Sequence, residues 1–268
     1  MKKFLAILMA VLTIVACFAG CTNEPADNNG GTTNEGTEKK KLTVATSPDF
    51  PPFEYYDDNG KVVGIEIDIL NLICDELDYE LDLQTMNFDA VLTGVSSKKY
   101  TVGASGISVT PDREENMLFT TPYCLAAQAI VVKEGSEITS KANLEGKKVS
   151  VQLGTTAQEY CTSNGYTVDA YEANADAQTA LVTGKVDAWV IDDLTAAEMV
   201  AAYNAENDTK LVVLDEAMTT EPYAFGLSFG NEDLVKEIDK VVKKLVEDGK
   251  IEDIFEKYNA PFTSPSEN

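Results

Sequence analysis

From Leu42 onward, short β-branched runs alternate with stretches in which apolar residues recur at helical spacing. LTVAT (42–46) reads as a strand. Ile65, Ile69, Ile73 and Leu77 fall on one face of a helix, and YELDLQTM (79–86) alternates as a second strand. Strand, helix, strand predicts parallel pairing through crossover helices. The rhythm restarts at KKVSVQL (147–153). A helix over 157–164, the strand YTVDAYE (166–172), a helix around 175–183 and the strand VDAWVI (186–191) follow. The pattern is therefore α/β, with two units in tandem. Near the end, Leu234, Ile238, Val241, Val242 and Leu245 form one apolar stripe, with Gly249 as C-cap, and that helix reads as packing surface.

The first 41 residues do not share this pattern. Lys2 and Lys3 precede an apolar run over 4–16, with Ala19 and Gly20 before Cys21. This is the layout of an export signal, and the run is too short to span a bilayer comfortably. Phe18-Ala19-Gly20-Cys21 resembles a bacterial lipobox, with Phe18 where Leu is usual; Ile14-Val15-Ala16-Cys17 is a second candidate, and a plain secretory signal is the alternative. The lipobox reading makes 1–20 a lipoprotein signal peptide and Cys21 the lipidated N-terminus. Residues 21–41, rich in Asn, Gly, Thr and charge, are then a tether with a mean reach of about 25 Å.

Composition narrows the chemistry. Of 268 residues, 45 are acidic and 21 basic, for a formal net charge of -24. Such a field repels nucleic acid and anionic lipid surfaces, so the lipid at Cys21 would be the chain's only hold on a membrane. With no His anywhere, Ser-His-Asp and Cys-His nucleophile pairs, HExxH zinc sites and imidazole acid-base chemistry are excluded. Cys74, Cys124 and Cys161 are odd in number and lack CxxC spacing, so they read as buried thiols. Nothing calls for a metal or a cofactor.

Two lobes leave a cleft, and ligand-binding groups of an open α/β sheet lie at the carboxyl ends of its strands. Four such junctions carry candidates. In Ser47-Pro48-Asp49-Phe50-Pro51-Pro52-Phe53-Glu54-Tyr55, Phe50 either stacks on a ligand or plugs the sheet end, and Phe53 reads as plug. In Ser105-Gly106-Ile107-Ser108-Val109-Thr110-Pro111-Asp112-Arg113, hydroxyls, N–H groups and the Arg113 fork suit a carboxylate. The structural alternative has Thr110 capping a turn and Arg113 paired with Glu114 or Glu115. Gly154-Thr155-Thr156-Ala157-Gln158-Glu159 opens a helix: Thr156 to Glu159 fits a capping box, Thr155 is free to point outward, and the first N–H groups attract anions. At Asp192-Asp193, Asp193 is the better cap and Asp192 the spare carboxylate for an ammonium, or else a solvated acid.

Donors for a carboxylate, an acceptor for an ammonium and aromatic walls complement an α-amino acid. The order FPPFEYYDDNGKVVGIEIDIL, GISVTPDREENMLFTTPY, LEGKKVSVQLGTTAQEY, LVTGKVDAWVIDD and YAFGLSF resembles family three of the bacterial extracellular solute-binding proteins, the amino-acid receptors of ABC importers. The resemblance runs from Leu42 to Tyr258. It implies a periplasmic-binding-protein-like type II fold: lobe one at 42–123 plus 224–260, lobe two at 128–220, and hinge segments at 124–127 and 221–223. It also implies that Arg113 clamps the α-carboxylate with Ser108, Thr155 and Thr156. Asp192 takes the α-ammonium with Ser105 or Gly106. Phe50 and Phe88 close on the ligand from opposite walls.

The sequence departs from the family pattern at Ser47, where some members carry an Asp that reads a basic side chain, at Gly106 for a frequent Ser, and at Thr101 for a frequent Asp. Glu54, Ser47 and Trp189 fall near the side-chain pocket, which points to a polar ligand. The implied activity is binding of a free amino acid by domain closure, as a monomer outside the cytoplasm, and delivery to an ABC permease. A cyclohexadienyl dehydratase-like enzyme, with Glu54 or Glu221 as acid, and an amino-acid sensor module are the alternatives on the same fold.

Overall fold

The computed structural model describes residues 39–265. The signal segment, Cys17, Cys21 and the tether as far as residue 38 lie outside the described residues.

Residues Lys40–Thr46 and Tyr79–Thr85 form the parallel pair expected from their patterns, in register from Lys40 opposite Tyr79 to Thr46 opposite Thr85. The helix between them, Ile65–Leu77, buries Ile65, Ile69, Leu70 and Ile73 on one stripe, each contributing about 1.5–3 kcal/mol. It starts against the preceding loop so closely that Gly64, at φ +136°, is required: a Cβ there would lie 2.2 Å from the Phe53 carbonyl oxygen. It ends at Asp78 in the left-handed conformation, whose N–H donates to the Cys74 carbonyl.

One five-stranded sheet runs in the order 79–85, 40–46, 102–103, 226–227, 118–119, and a second in the order 167–171, 148–152, 188–192, 128–133, 211–213. Neither is parallel throughout, as the alternation implied. Gln128–Lys133 lies antiparallel to both its neighbours, and Gly226–Leu227 to both of its own. Each follows a passage of the chain between the sheets, with no crossover helix to restore parallel direction. Those passages are Cys124–Ala126 and Glu221–Tyr223, which pair antiparallel as a two-stranded ribbon. Residues 49–63, read as loop, contain three very short antiparallel strands.

The stripe near the C-terminus becomes the helix Glu232–Glu247, burying Ile238, Val241 and Val242. Its last cap position is Asp248, and Gly249 just beyond it supplies the left-handed turn expected to end the helix. Gly249, at φ +70°, follows the cap and opens a further helix, Lys250–Lys257, which the periodicity reading passed over. Phe255 from that helix packs edge-on against Phe53, with ring centroids 6.1 Å apart, and Phe53 meets Tyr223 at 5.3 Å. Phe53 is fully buried, so the plug reading holds. Cys74, Cys124 and Cys161 are buried and unpaired.

Candidate functional site

The strand ends of the two sheets face one cavity. Its volume is about 10 Å³, on the order of one water molecule, so the two walls stand in close approach. Larger hollows, about 600 Å³ beside Pro122 and Phe262 and about 980 Å³ beside Glu76 and Lys244, are broad surface depressions away from the strand ends.

Arg113 enters through a preset turn. Thr110 caps the short helix Pro111–Glu114, its side chain accepting from the Arg113 N–H, and Pro111 supplies the first helical position. The cap expected from the sequence is therefore present, but its companion ion pair is not: the guanidinium turns inward, away from Glu114 and Glu115. Nη1 donates to the Ser108 carbonyl at 3.0 Å, Nη2 to the Gly154 carbonyl at 3.1 Å, and the group lies 5.5 Å from the Phe88 ring centroid. Burial lowers its pKa, while Glu159, Glu221 and Asp192 oppose that effect. A guanidinium stays charged in such a place.

The facing wall is the start of the helix Thr156–Ser163. Its N-cap is Thr155, one residue earlier than the capping-box reading: Thr155 accepts from the Gln158 N–H, and Gln158 Oε1 accepts from the Gly154 N–H at 2.8 Å. The correction exchanges the two threonines. Thr155 is bound into the cap and donates to the Gln152 carbonyl at 2.7 Å, while the Thr156 hydroxyl points away and donates to Glu221 Oε2, also at 2.7 Å. Two adjacent threonines fit the motif equally well, and the loop's entry angle decides between them.

Asp192 ends the strand Ala188–Asp192 and is 7% exposed. Contrary to the expected cap at Asp193, Asp192 itself holds the N-cap position of the helix Asp193–Glu206, though without a side-chain cap bond. Asp193 is the first helical residue, accepting from the Leu194 N–H at 2.9 Å and the Ala127 N–H at 3.4 Å. Asp192 Oδ1 accepts from Gln128 Nε2 at 2.8 Å and from the Tyr223 hydroxyl. Burial first, and the Glu221 charge second, push its pKa up to about 7, against the pull of those two donors.

Phe50, Phe88, Ser105, Gly106 and Ser108 also line the cavity. Phe50 stacks on Phe53 with centroids 5.6 Å apart, so it serves as wall and plug together. Gly106 sits at φ +54°, and a Cβ on it would lie 2.5 Å from the Phe50 ring. The departure from Ser at this position follows from where Phe50 lies. Glu54 is not among the lining residues. It is fully buried one layer behind, where its Oε1 accepts from the Ser105 hydroxyl at 2.8 Å. Burial, followed by the neighbouring Glu66 charge, raises its pKa well above the usual carboxylate range. Glu66 in turn accepts from the Tyr123 hydroxyl at 2.6 Å and the Gly106 N–H at 3.2 Å. Trp189 is fully buried and also off the lining.

Sequence reasoning gave no ligand-binding role to three residues of this region, Glu221 having entered only in a hinge segment and as the acid of the enzyme alternative. Asp49 lines the cavity and accepts from the Asn174 N–H at 2.9 Å and from Gln152 Nε2 at 3.3 Å, joining the strand ends of the two sheets. Gln152 is a buried polar residue closing an apolar strand, a pattern that marks a strand end facing a ligand. Glu221, on the ribbon, accepts from Ser108 Oγ at 2.5 Å, Thr156 Oγ1 and Thr219 Oγ1.

The model of the bacterial extracellular solute-binding proteins, family 3, matches residues 42–261. The chain is 30% identical over 255 residues to the L-cystine-binding protein TcyJ of Escherichia coli K12, covering 94% of each. It is 28% identical to the arginine-binding extracellular protein ArtP of Bacillus subtilis, over 96% of this chain and 98% of that one. An ancestral arginine-binding protein bound to glutamine superposes with a TM-score of 0.77 at 34% identity, covering 83% of this chain and 99% of the other. Its two sheet-containing lobes have the type II periplasmic-binding-protein arrangement. By sequence and fold, the chain belongs to family 3 of the bacterial extracellular solute-binding proteins.

Proposed function

We propose that this chain is the extracytoplasmic amino-acid-binding component of an ABC importer, holding its ligand between Arg113 and Asp192. The observation that carries the reading is the placement of one guanidinium and one carboxylate in a single small cavity, with Phe50 and Phe88 on its walls. Arg113 offers a bidentate fork to the α-carboxylate, and the first N–H groups of the helix Thr156–Ser163 add unshared donors beside it. Asp192 takes the α-ammonium. The named relatives are binding proteins for cystine and arginine and not enzymes, which supports a transport role over the dehydratase alternative.

Lobe one at 42–123 plus 224–260 and lobe two at 128–220 would move about the ribbon at 124–127 and 221–223. A ligand touching both walls favours only their closed approach and shifts the equilibrium by its differential affinity. The closed monomer would then dock on a membrane permease. Lipid at Cys21 would hold it at the outer face of the membrane; no helix among the described residues is long and apolar enough to cross one. A thermal-shift screen of the mature chain against the twenty amino acids tests the reading. A ligand at 100 times its dissociation constant adds about 2.7 kcal/mol of stability, and an unchanged melting temperature with all twenty would refute amino-acid binding.

A further inference from the structure

Three charged residues line the cavity: Arg113, Asp192 and Asp49. If Arg113 takes the carboxylate and Asp192 the ammonium, the α-amino acid core is neutralised and one lining carboxylate is left over. Asp49 accepts only from neutral donors: the Ser47 hydroxyl at 3.0 Å, the Gln152 amide and the Asn174 N–H. The last of these belongs to the first residue of the helix Asn174–Val182, whose N-terminus offsets about half a charge. The remainder meets no cation in an ion pair among the described residues.

The layer behind the walls is acidic as well. Glu54 and Glu66 lie behind Ser105 and Gly106, and Glu221 behind Ser108 and Thr156. None of these carboxyls, nor Asp49 or Asp192, takes part in an ion pair among the described residues. Glu54 Oε2 is buried without a hydrogen-bond partner. Burial and the neighbouring Glu66 favour the protonated form of Glu54, so the charge that matters on the lining is that of Asp49: a neutral zwitterion leaves it as it is, whereas a ligand with one more positive charge relieves it.

We propose that the cleft selects an amino acid whose side chain carries a positive charge, with Asp49 as the acceptor of that charge. The proposal rests on the amino-acid reading above. Phe50 and Phe88 suit it, since an aromatic face attracts a cation as well as the flat part of a side chain. Burial raises the Asp49 pKa against its three donors, the condition a cationic partner reverses.

The test compares ligands of one shape and different charge. Calorimetry on the mature chain with arginine against citrulline, and with lysine against norleucine, is expected to give at least tenfold tighter binding of the cation in one of the pairs, the loss typical of removing one partner of a buried charge pair. In Asp49→Asn that ratio falls several-fold, while Asp49→Glu keeps the cation preferred. Neutral members binding as tightly as their charged partners overturns the selectivity and leaves amino-acid binding standing; so does an Asp49→Asn chain with an unaltered ratio. Binding of none of the twenty amino acids removes both.

Discussion

With Asp192 as the proposed acceptor of the α-ammonium, the ligand's affinity is expected to depend on pH in a defined direction. The Asp192 carboxyl, buried beside Glu221, is pushed up to about 7 from an ordinary value of 3.8, so without ligand the ionised form is held at a cost on the order of 4 kcal/mol. For an acid raised in this way, the ligand-free fold binds the proton more tightly than the unfolded chain does. The stabilising contribution of the protonated group is complete below 3.8 and is lost as pH rises through about 7. An incoming ammonium needs the ionised form, so below about pH 7 binding expels a proton. With the ligand's own ammonium charged throughout, affinity falls roughly tenfold for each pH unit below 6 and is level above about 8. Between about pH 8 and 5.5 the loss is about 30-fold. Calorimetry at several pH values, in buffers of differing ionisation enthalpy, reads both quantities: the dissociation constant and the proton released, which approaches one per ligand near pH 5.5. Asp192→Asn removes the slope, binding far more weakly than the native chain at pH 8 and nearly as well at 5.5. An affinity level from pH 5.5 to 8, with heats independent of buffer, would falsify the assignment of the ammonium to Asp192.

Arg113→Ala removes the carboxylate fork from a buried position, a change costing about 2–5 kcal/mol. Titration should give at least a tenfold weaker dissociation constant, and unchanged binding excludes the clamp. Phe53→Ala opens a void beneath the strand ends, where Phe53 meets Phe50, Tyr223 and Phe255. Urea unfolding is expected to show about 3–5 kcal/mol lost, and a loss under 1 kcal/mol means that the site does not rest on this ring.

Periodicity made the long elements legible. The helix Ile65–Leu77 and the strands flanking it follow from apolar spacing that needs no partner to be read. Val102–Gly103 lies inside TVGAS (101–105), which reads as a strand, whereas Gly226–Leu227, two residues long, carries no period, and only the neighbours it pairs with make it a strand. In the site, Arg113 and Asp192 take their roles from the order of the family's motifs, since by local pattern Arg113 reads equally as a surface ion pair with Glu114 or Glu115 and Asp192 as a solvated acid. Asp49 was not legible: its neighbours in the Pro-rich loop drew the reading to Phe50, and its partners Gln152 and Asn174 lie 103 and 125 residues away. Glu221 has its partners 113 and 65 residues back, which no local pattern announces.

Glu221 constrains how the proposed carboxylate subsite can work. A hydroxyl has one proton to donate, and both Ser108 and Thr156 donate theirs to Glu221, from opposite walls of the cavity. Neither can also donate to a ligand carboxylate while that bond stands. Arg113 faces a similar exchange, since its Nη1 and Nη2 already donate to the Ser108 and Gly154 carbonyls, though a guanidinium keeps further N–H groups to offer. The two walls are thus joined directly through the groups that the family pattern assigns to the ligand. A hydrogen bond to a charged group is worth about 1.5–3 kcal/mol, so a ligand drawing both hydroxyls away from Glu221 gives up on the order of 3–6 kcal/mol before it gains anything there. The arrangement that avoids this cost leaves the hydroxyls on Glu221 and meets the carboxylate with Arg113 and the first N–H groups of the helix Thr156–Ser163. Glu221 then remains as a bridge of the closed approach, spanning Ser108 on one wall and Thr156 on the other from its place on the ribbon.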